Sequence, residues 1–262
     1  MFTIANAASL DAATHYYYAK LAGEDYRTGL PSTPAVWGGR LAEALGAQGT
    51  VTRRAFAALA NNLHPLTGER LSSRSRANRR AGYVIKASAP KSVSLLHEFL
   101  RCQGRDTEAT AIGSAMQEAF AVTLRAIEQS MLARVHTTGH REFFRPTGNI
   151  AHVACVHYYA SPVKGRIDPH VECVGFIFNM TRDRDKYKAG QFKWIMENRP
   201  YFQALFNDAL VERLNGLGYE TRREGLTFEL KGITKTTRAK FSKRSARIAA
   251  HQKARDAASA HA

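Results

Sequence analysis

The spacing of apolar residues changes from a helical to a strand-like pattern near residue 150, and this change most constrains the fold. Between residues 107 and 133, apolar side chains recur at steps of three and four residues, which is typical of an amphipathic helix. Residues 153–159 and 171–178 are instead short apolar runs bounded by turn residues, a pattern that predicts strands. Because helices and strands mix without a regular β-α-β alternation, the sequence predicts an α+β fold and not a doubly wound sheet.

Shorter elements are predicted on both sides of these segments. Ser9 or Asp11 is a candidate cap for a helix near the start of the chain, and Thr52 for a later one. The remaining predicted elements are strands at 2–4 and 83–87, helices at 40–45, 53–63, 93–100 and 200–217, and a hairpin of 219–222 with 226–230. No internal repeat is evident.

The charge of the chain is strongly positive. Lys and Arg number 38 against 22 Asp and Glu, a formal net charge of +16, so a polyanion is the first partner to consider. No apolar run is long enough to span a bilayer, and the first residues lack the pattern of a signal peptide. Three cysteines are too few for a disulfide framework and are expected to be reduced thiols. We therefore expect a cytoplasmic protein without membrane insertion.

Two histidines and one glutamate are the candidate metal ligands. His170 and Glu172 are two residues apart on a predicted strand, so both point to one face, about 7 Å apart. His157, on the preceding strand, reaches the same place if the strands pair antiparallel around the turn at 162–166. Three ligands with open coordination positions are typical of a catalytic metal site. The alternatives are a surface His–Glu pair, or the iron site of an oxygenase, in which the net charge would have no role.

A run of tyrosines on the first helix supplies candidate nucleophiles. Successive helical residues are about 100° apart, so Tyr16, Tyr17 and Tyr18 cannot share one face. A phenolate is a competent nucleophile toward phosphorus. The alternative is that these rings, with Tyr26 further on, only fill the core.

Basic residues form three candidate contacts with phosphate. Ser88, Lys91 and Ser92 surround a predicted helix start, where free backbone N–H groups favour an anion. Residues 70–80 hold five arginines and no acid, and residues 231–262 hold nine basic residues against one acid. From these two segments the candidate contacts are Arg74, Arg76, Arg79, Arg80, Lys243 and Arg244. The alternatives are an ordinary helix cap and a solvated basic face.

Taken in order, these segments resemble a known family. Two motifs are similar to those of the MobF (TrwC/TraI-type) conjugative relaxases, members of the HUH superfamily. The first is Ser88-Ala89-Pro90-Lys91-Ser92, and the second is His157 followed by the Asp168–Glu172 run and Asn179-Met180-Thr181. The resemblance covers essentially the whole chain. It implies a central antiparallel sheet flanked by helices over residues 1–230. It further implies a basic C-terminal segment, 231–262, that begins a helical flap over DNA and is disordered without DNA.

The resemblance also implies an activity. Relaxases of this family nick one DNA strand at a transfer origin and transfer it through a 5′-phosphotyrosyl intermediate. The first tyrosine pair of the family corresponds to Tyr16 and Tyr17, the second tyrosine to Tyr26, and the metal ligands to His157, His170 and Glu172. Glu172 replaces a histidine of relatives, which favours Mg²⁺ or Mn²⁺ because a carboxylate is a harder ligand.

The partners that the resemblance implies are single-stranded or locally melted origin DNA, relaxosome accessory proteins and the conjugative coupling protein. We expect a monomer that is exported to the recipient cell. Val84 stands where relatives carry an aspartate that orients the third histidine. This departure, with Glu172, leaves open a non-catalytic protein of the same fold that only binds single-stranded DNA.

Overall fold

The structure is a computed structural model that describes residues 1–7, 9–21, 24–25, 30–72, 79–136, 142–243, 246–248 and 250. The strands are β1 Phe2–Ala7, β2 Glu24–Asp25, β3 Leu30–Pro31, β4 Val36–Gly38, β5 Gly82–Ser88, β6 Leu132–His136, β7 Glu142–Pro146, β8 His152–Tyr159, β9 Pro169–Phe178, β10 Thr181–Asp183, β11 Lys186–Lys188, β12 Thr221–Glu224 and β13 Thr227–Leu230. The helices are α1 Leu10–Tyr16, α2 Arg40–Ala44, α3 Arg53–Ala60, α4 Lys91–Cys102, α5 Asp106–Gln129, α6 Lys193–Glu197, α7 Arg199–Gly216 and α8 Lys235–Lys240. A π-helical turn, Tyr17–Leu21, continues α1.

Five strands form the central sheet in the order β1-β5-β9-β8-β4, and every neighbouring pair is antiparallel. The predicted α+β class and the predicted antiparallel sheet are both confirmed. Helices cover the two faces, so side chains of both parities along β9 are buried. This explains why the sequence of β9 is apolar almost throughout instead of alternating.

The two faces of the sheet bury different hydrophobic cores. Val171 and Cys173 of β9 point to the face covered by α4, α5 and α7, whereas Val174 and Phe176 point to the face covered by α1, α2 and α3. Glu172 has the parity of Val174 and therefore lies on the second face. We call this second face the tyrosine face, because α1 and the π-helical turn pack on it.

The predicted helix caps agree with the structure. The side chain of Ser9 accepts a hydrogen bond from the Ala12 N–H, and that of Thr52 accepts one from the Ala55 N–H. Each bond satisfies one of the N–H groups that a helix start leaves without a partner.

The predicted helix at 107–133 is too long at its C-terminal end. Helix α5 ends at Gln129, and Leu132–His136 is a strand that pairs with Glu142–Pro146. Met131, between α5 and β6, and Ala133, within β6, are both buried, so the apolar spacing continues past the end of the helix. Burial sets that spacing, so periodicity alone does not locate the boundary.

The beginning of the basic C-terminal segment packs against the body of the domain. In α8, the Arg238 guanidinium lies 2.7 Å from Glu229 and 3.0 Å from Glu224. Beyond α8, the backbone N–H and the ammonium of Lys243 both bind the carboxylate of Asp168. Most of the later residues lie outside the described ranges, so the division at residue 231 stays a prediction. Across the described residues, no helix is both long enough and apolar enough to cross a membrane.

Candidate active site

Strands β8 and β9 bring the three predicted ligands to one face. His157 is the direct register partner of Glu172, so their side chains point to the same side of the sheet. His170 is two residues before Glu172, and its Nε2 lies 3.8 Å from the Glu172 carboxylate. The predicted antiparallel pairing of the two strands is therefore confirmed. All three side chains lie on the tyrosine face.

The Glu172 side chain is held in its charged form. Burial alone would raise the pKa of this carboxyl group, because a charged group loses hydration in the interior. The neighbouring His170, together with positive charge from Lys86 and His157, outweighs burial and lowers the pKa of Glu172 to about 2. Glu172 is therefore an anionic oxygen donor at neutral pH.

The His157 ring contacts the tyrosine-bearing segment. Its Nε2 lies 2.7 Å from the carbonyl oxygen of Lys20, in the π-helical turn, and the Cys155 thiol also donates to that oxygen. In the described part of the chain, no three His, Cys, Asp or Glu side chains lie close enough together to hold a metal ion. The predicted three-ligand cluster is thus not formed in this arrangement, because one His157 nitrogen is directed at a carbonyl. Among the described residues, His170 and Glu172 form a close pair of donors.

The three consecutive tyrosines have different environments. Tyr17 is buried, its hydroxyl donates to the Val51 carbonyl at 3.1 Å, and burial raises its pKa. This geometry argues against the expectation that Tyr17 is a nucleophile. Tyr16 is half-buried, with its hydroxyl shielded from solvent and its ring 6.3 Å from that of Phe176, on the tyrosine face.

Tyr18 is the exposed member of the run. Its side chain is 44% exposed, and the guanidinium of Arg53 lies 4.8 Å from its ring centroid. The sequence left the register of the tyrosine run open by one or two positions, and this exposure makes Tyr18 a further candidate. Tyr26, the predicted second tyrosine, lies outside the described residues.

The chain is similar to known relaxases in sequence and in structure. A family model described as TrwC relaxase matches residues 10–262. The chain belongs to the TrwC relaxase family. The multifunctional conjugation protein TraI of Escherichia coli (strain K12) is 28% identical over 235 residues. That match covers 86% of this chain but 12% of TraI, so the chain spans a small part of the length of that relative.

Two solved structures extend the similarity to the fold. The conjugative relaxase TrwC in its metal-bound complex with oriT DNA aligns with a TM-score of 0.79 at 29% identity, covering 97% of this chain and 84% of the TrwC chain. TrwC with a 27-mer DNA comprising the recognition hairpin and the cleavage site aligns with a TM-score of 0.78 at 28% identity. That alignment covers 98% of this chain and 84% of the TrwC chain. The predicted relaxase family is confirmed.

The predicted anion site at the start of α4 is occupied by the protein itself. The backbone N–H of Ser92 donates to the Glu229 carboxylate, and the Ser92 hydroxyl accepts from the Leu230 N–H. The Lys91 ammonium donates to the Pro169 carbonyl at 2.8 Å, and burial lowers its pKa. Ser92 and Lys91 therefore join α4 to β13 and β9, and Ser92 is not open to phosphate. Ser88 ends β5 as the register partner of Glu172 and is half-buried on the tyrosine face.

The predicted basic contacts are only partly described. Arg79 donates to the Ala60 carbonyl, and Arg80 is exposed and donates to the Tyr83 hydroxyl. Lys243 is bound by Asp168, the second residue before His170. Arg74, Arg76 and Arg244 lie outside the described ranges.

A groove between two β-ribbons is a further surface with basic side chains that sequence reasoning missed. It has a volume of about 830 Å³ and is lined by Arg134 and His136 of β6, by Lys186 and Lys188 of β11, by Asp185, and by Leu71 and Ser72. Arg134 and His136 lie within ion-pair distance of Glu142, and Lys188 lies 2.6 Å from Asp183. No sequence signal joins these elements, because they are more than 40 residues apart and meet only through tertiary packing. The composition of 70–80 was the one available indication of this region.

Proposed function

We propose that this relaxase nicks one strand of DNA at a transfer origin and transfers it through a covalent tyrosine intermediate. The observation that carries the proposal is the contact between Lys20 and His157, which sets the tyrosine-bearing segment directly on the strand that carries a candidate ligand. A tyrosine nucleophile and a phosphate-polarising site must lie side by side for such chemistry. Membership of the TrwC relaxase family gives the same conclusion.

In the proposed reaction, a tyrosine oxygen attacks the scissile phosphorus. The new O–P bond replaces the bond from phosphorus to the 3′ oxygen, which takes up a proton and leaves as a 3′ hydroxyl. The DNA 5′ phosphate stays on the tyrosine, and attack by a 3′ hydroxyl reverses the step. We assign the first attack to Tyr16, which packs on the tyrosine face, and keep Tyr26 as the second nucleophile.

A divalent metal ion is the proposed cofactor, in keeping with the metal-bound form of TrwC. The donor chemistry of His170 and Glu172 suits such an ion, and His157, the register partner of Glu172, is the proposed third ligand. An ion bound there would polarise the phosphate. The carboxylate of Glu172 favours Mg²⁺ or Mn²⁺ over softer ions.

The proposed substrate is unpaired origin DNA. A nucleophile that attacks a single phosphate requires that strand to be unpaired and firmly positioned, which a basic groove can provide. The groove along β6 and β11 is the proposed path for the backbone. Arg80 and the basic residues of the 70–80 segment stay proposed contacts to phosphate. The accessory proteins, the coupling protein, the monomeric state, the cytoplasmic location and export stay predictions.

The test is covalent trapping. We would clone the DNA that flanks the relaxase gene into a supercoiled plasmid and incubate it with protein and Mg²⁺ or Mn²⁺. Denaturing gels would detect the adduct, and primer extension would map the nick. We expect an adduct that is lost in Tyr16→Phe and kept in Tyr17→Phe.

Each alternative outcome has a clear meaning. Cleavage that survives in Tyr16→Phe but is lost in Tyr18→Phe assigns the attack to the exposed tyrosine. DNA binding without an adduct in every tyrosine-intact protein would favour the non-catalytic binding protein. Rapid cutting of relaxed duplex DNA would contradict the requirement for an unpaired strand.

A further inference from the structure

An ammonium group lies on the tyrosine face beside the candidate ligands. Lys86 is on β5, two residues before Ser88, so the two side chains share a face. Ser88 is the register partner of Glu172, and Lys86 is the partner of Val174. Lys86 and Glu172 are therefore diagonal neighbours on adjacent strands, a relationship that places Cβ atoms about 7 Å apart.

Lys86 differs from the other half-buried lysines near it, because no described residue is its hydrogen-bond or ion-pair partner. Its ammonium makes no hydrogen bond and no ion pair with any described residue, whereas Lys91 binds the Pro169 carbonyl and Lys243 binds Asp168. A half-buried charge without a partner is unfavourable, and structural lysines usually reach solvent or an acid. Because Lys86 and Glu172 are diagonal neighbours on one face, the charge of Lys86 acts on the candidate site, and no described residue neutralises it in an ion pair.

The chemistry of the site requires such a charge. Attack on a phosphodiester builds negative charge on the non-bridging oxygens, and groups that stabilise this charge provide much of the catalysis. The Glu172 carboxylate adds a negative charge at the same place, which repels the phosphate. A cation next to Glu172 on the same face offsets that repulsion.

We propose that Lys86 binds the scissile phosphate directly, as a cation that compensates for the charge of Glu172. The proposal rests on the proposed nicking function for the identity of the phosphate. The part that does not depend on nicking is a direct contact between the Lys86 ammonium and one phosphate of bound single-stranded DNA. A lysine suits this role because its charge sits on a flexible chain with three donors.

The test measures which phosphate of a bound strand loses its protein contact. The probe is a short single-stranded oligonucleotide selected from a random pool for tight binding to the wild-type protein. Neutral methylphosphonate linkages replace its phosphates one at a time, and affinities are measured for the wild type, Lys86→Gln, Lys86→Arg and the control Lys193→Gln. Lys193 is 88% exposed on α6.

We expect Lys86→Gln to lower the affinity about tenfold and to abolish the sensitivity to methylphosphonate at one position, where the affinity of wild type and variant becomes equal. The slope of log affinity against log salt should fall in magnitude by about 0.7, the value for one single-strand phosphate contact. Lys86→Arg should keep both responses, and Lys193→Gln should resemble the wild type. A merely structural lysine would not change the salt slope.

An unchanged methylphosphonate profile and salt slope in Lys86→Gln would overturn the proposal. So would an equal loss of affinity for every methylphosphonate probe. These measurements do not need cleavage. A wild type that binds DNA but never forms an adduct would refute the nicking function alone. The methylphosphonate profile and the salt slope would still decide whether Lys86 contacts a phosphate.

Discussion

The carbonyl oxygen of Lys20 lies 2.7 Å from Nε2 of His157. This contact joins the π-helical turn, which carries Tyr17 and Tyr18, to β8, the strand that pairs with the His170- and Glu172-bearing strand β9. A shift of the π-helical turn would therefore change the environment of the His157 ring. π-helical turns are frequent at functional sites, and this one connects the two halves of the candidate active site.

Loss of the His157 ring should loosen the π-helical turn. In His157→Ala, the Lys20 carbonyl loses its ring partner, so amide hydrogen exchange across residues 17–21 should become faster. Hydrogen exchange with mass spectrometry would measure this. The matched control is His170→Ala, which removes an imidazole from the same site but no contact to Lys20 and should leave the exchange unchanged. Equal acceleration in both variants would argue against the contact.

Loss of the Tyr17 hydroxyl should affect stability and not cleavage. Tyr17→Phe removes the hydrogen bond to the buried Val51 carbonyl, which should lower the free energy of unfolding by about 1 kcal/mol. Urea denaturation measures the loss, and adduct formation should persist once the protein is folded. Loss of adduct formation in stably folded Tyr17→Phe would instead indicate that Tyr17 is a nucleophile.

Replacement of Glu172 should change the metal preference. Glu172→Gln keeps the shape of the side chain and removes its charge, so calorimetry should show weaker Mn²⁺ binding, and metal-dependent nicking should be lost. Glu172→His should favour softer ions such as Cu²⁺ over Mn²⁺. Wild-type Mn²⁺ affinity and nicking in Glu172→Gln would remove Glu172 from the ligand set.

The hydroxyl of Ser92 should matter for folding and not for DNA. Ser92→Ala leaves the Leu230 N–H buried without its acceptor, which should cost about 1 to 3 kcal/mol of unfolding free energy. The affinity for single-stranded DNA and its salt dependence should not change, because Ser92 is fully buried and bound to β13. A changed salt slope would instead support a phosphate contact at the start of α4.

Acid should destabilise the protein partly through His97. Burial, with the neighbouring Arg101, lowers the pKa of His97 from 6.5 to about 4, and its ring stacks on Tyr158. The unfolded chain then binds more protons than the folded one between pH 6.5 and 4, so stability falls as the pH is lowered through that window. At pH 4, protonation of His97 in the unfolded chain lowers the free energy of unfolding by about 3 kcal/mol relative to neutral pH. Denaturation of the wild type and His97→Gln at several pH values should show a smaller loss in the variant.

Several features of this protein are determined by local sequence. Ser9 and Thr52 cap their helices as predicted, because a cap needs only the residue and the N–H groups three positions on. The pairing of β8 with β9 also followed from the sequence, since a short turn between two apolar runs leaves antiparallel pairing as the simple solution. Strand parity then placed His170 and Glu172 on one face without any tertiary information.

Only the tertiary structure decided which of these residues are available for chemistry. Nothing near Ser92 in the sequence indicates that Glu229 and Leu230, more than 130 residues away, bind it. Nothing within the tyrosine run tells Tyr17, which lies against Phe56, from the exposed Tyr18. The Lys20 carbonyl and Lys86 lie near the candidate site only because the fold packs the π-helical turn on the sheet and pairs β5 with β9. Local hydrogen bonding and side-chain parity are properties of neighbouring residues, whereas burial and charge pairing depend on segments that the fold brings together from distant parts of the chain.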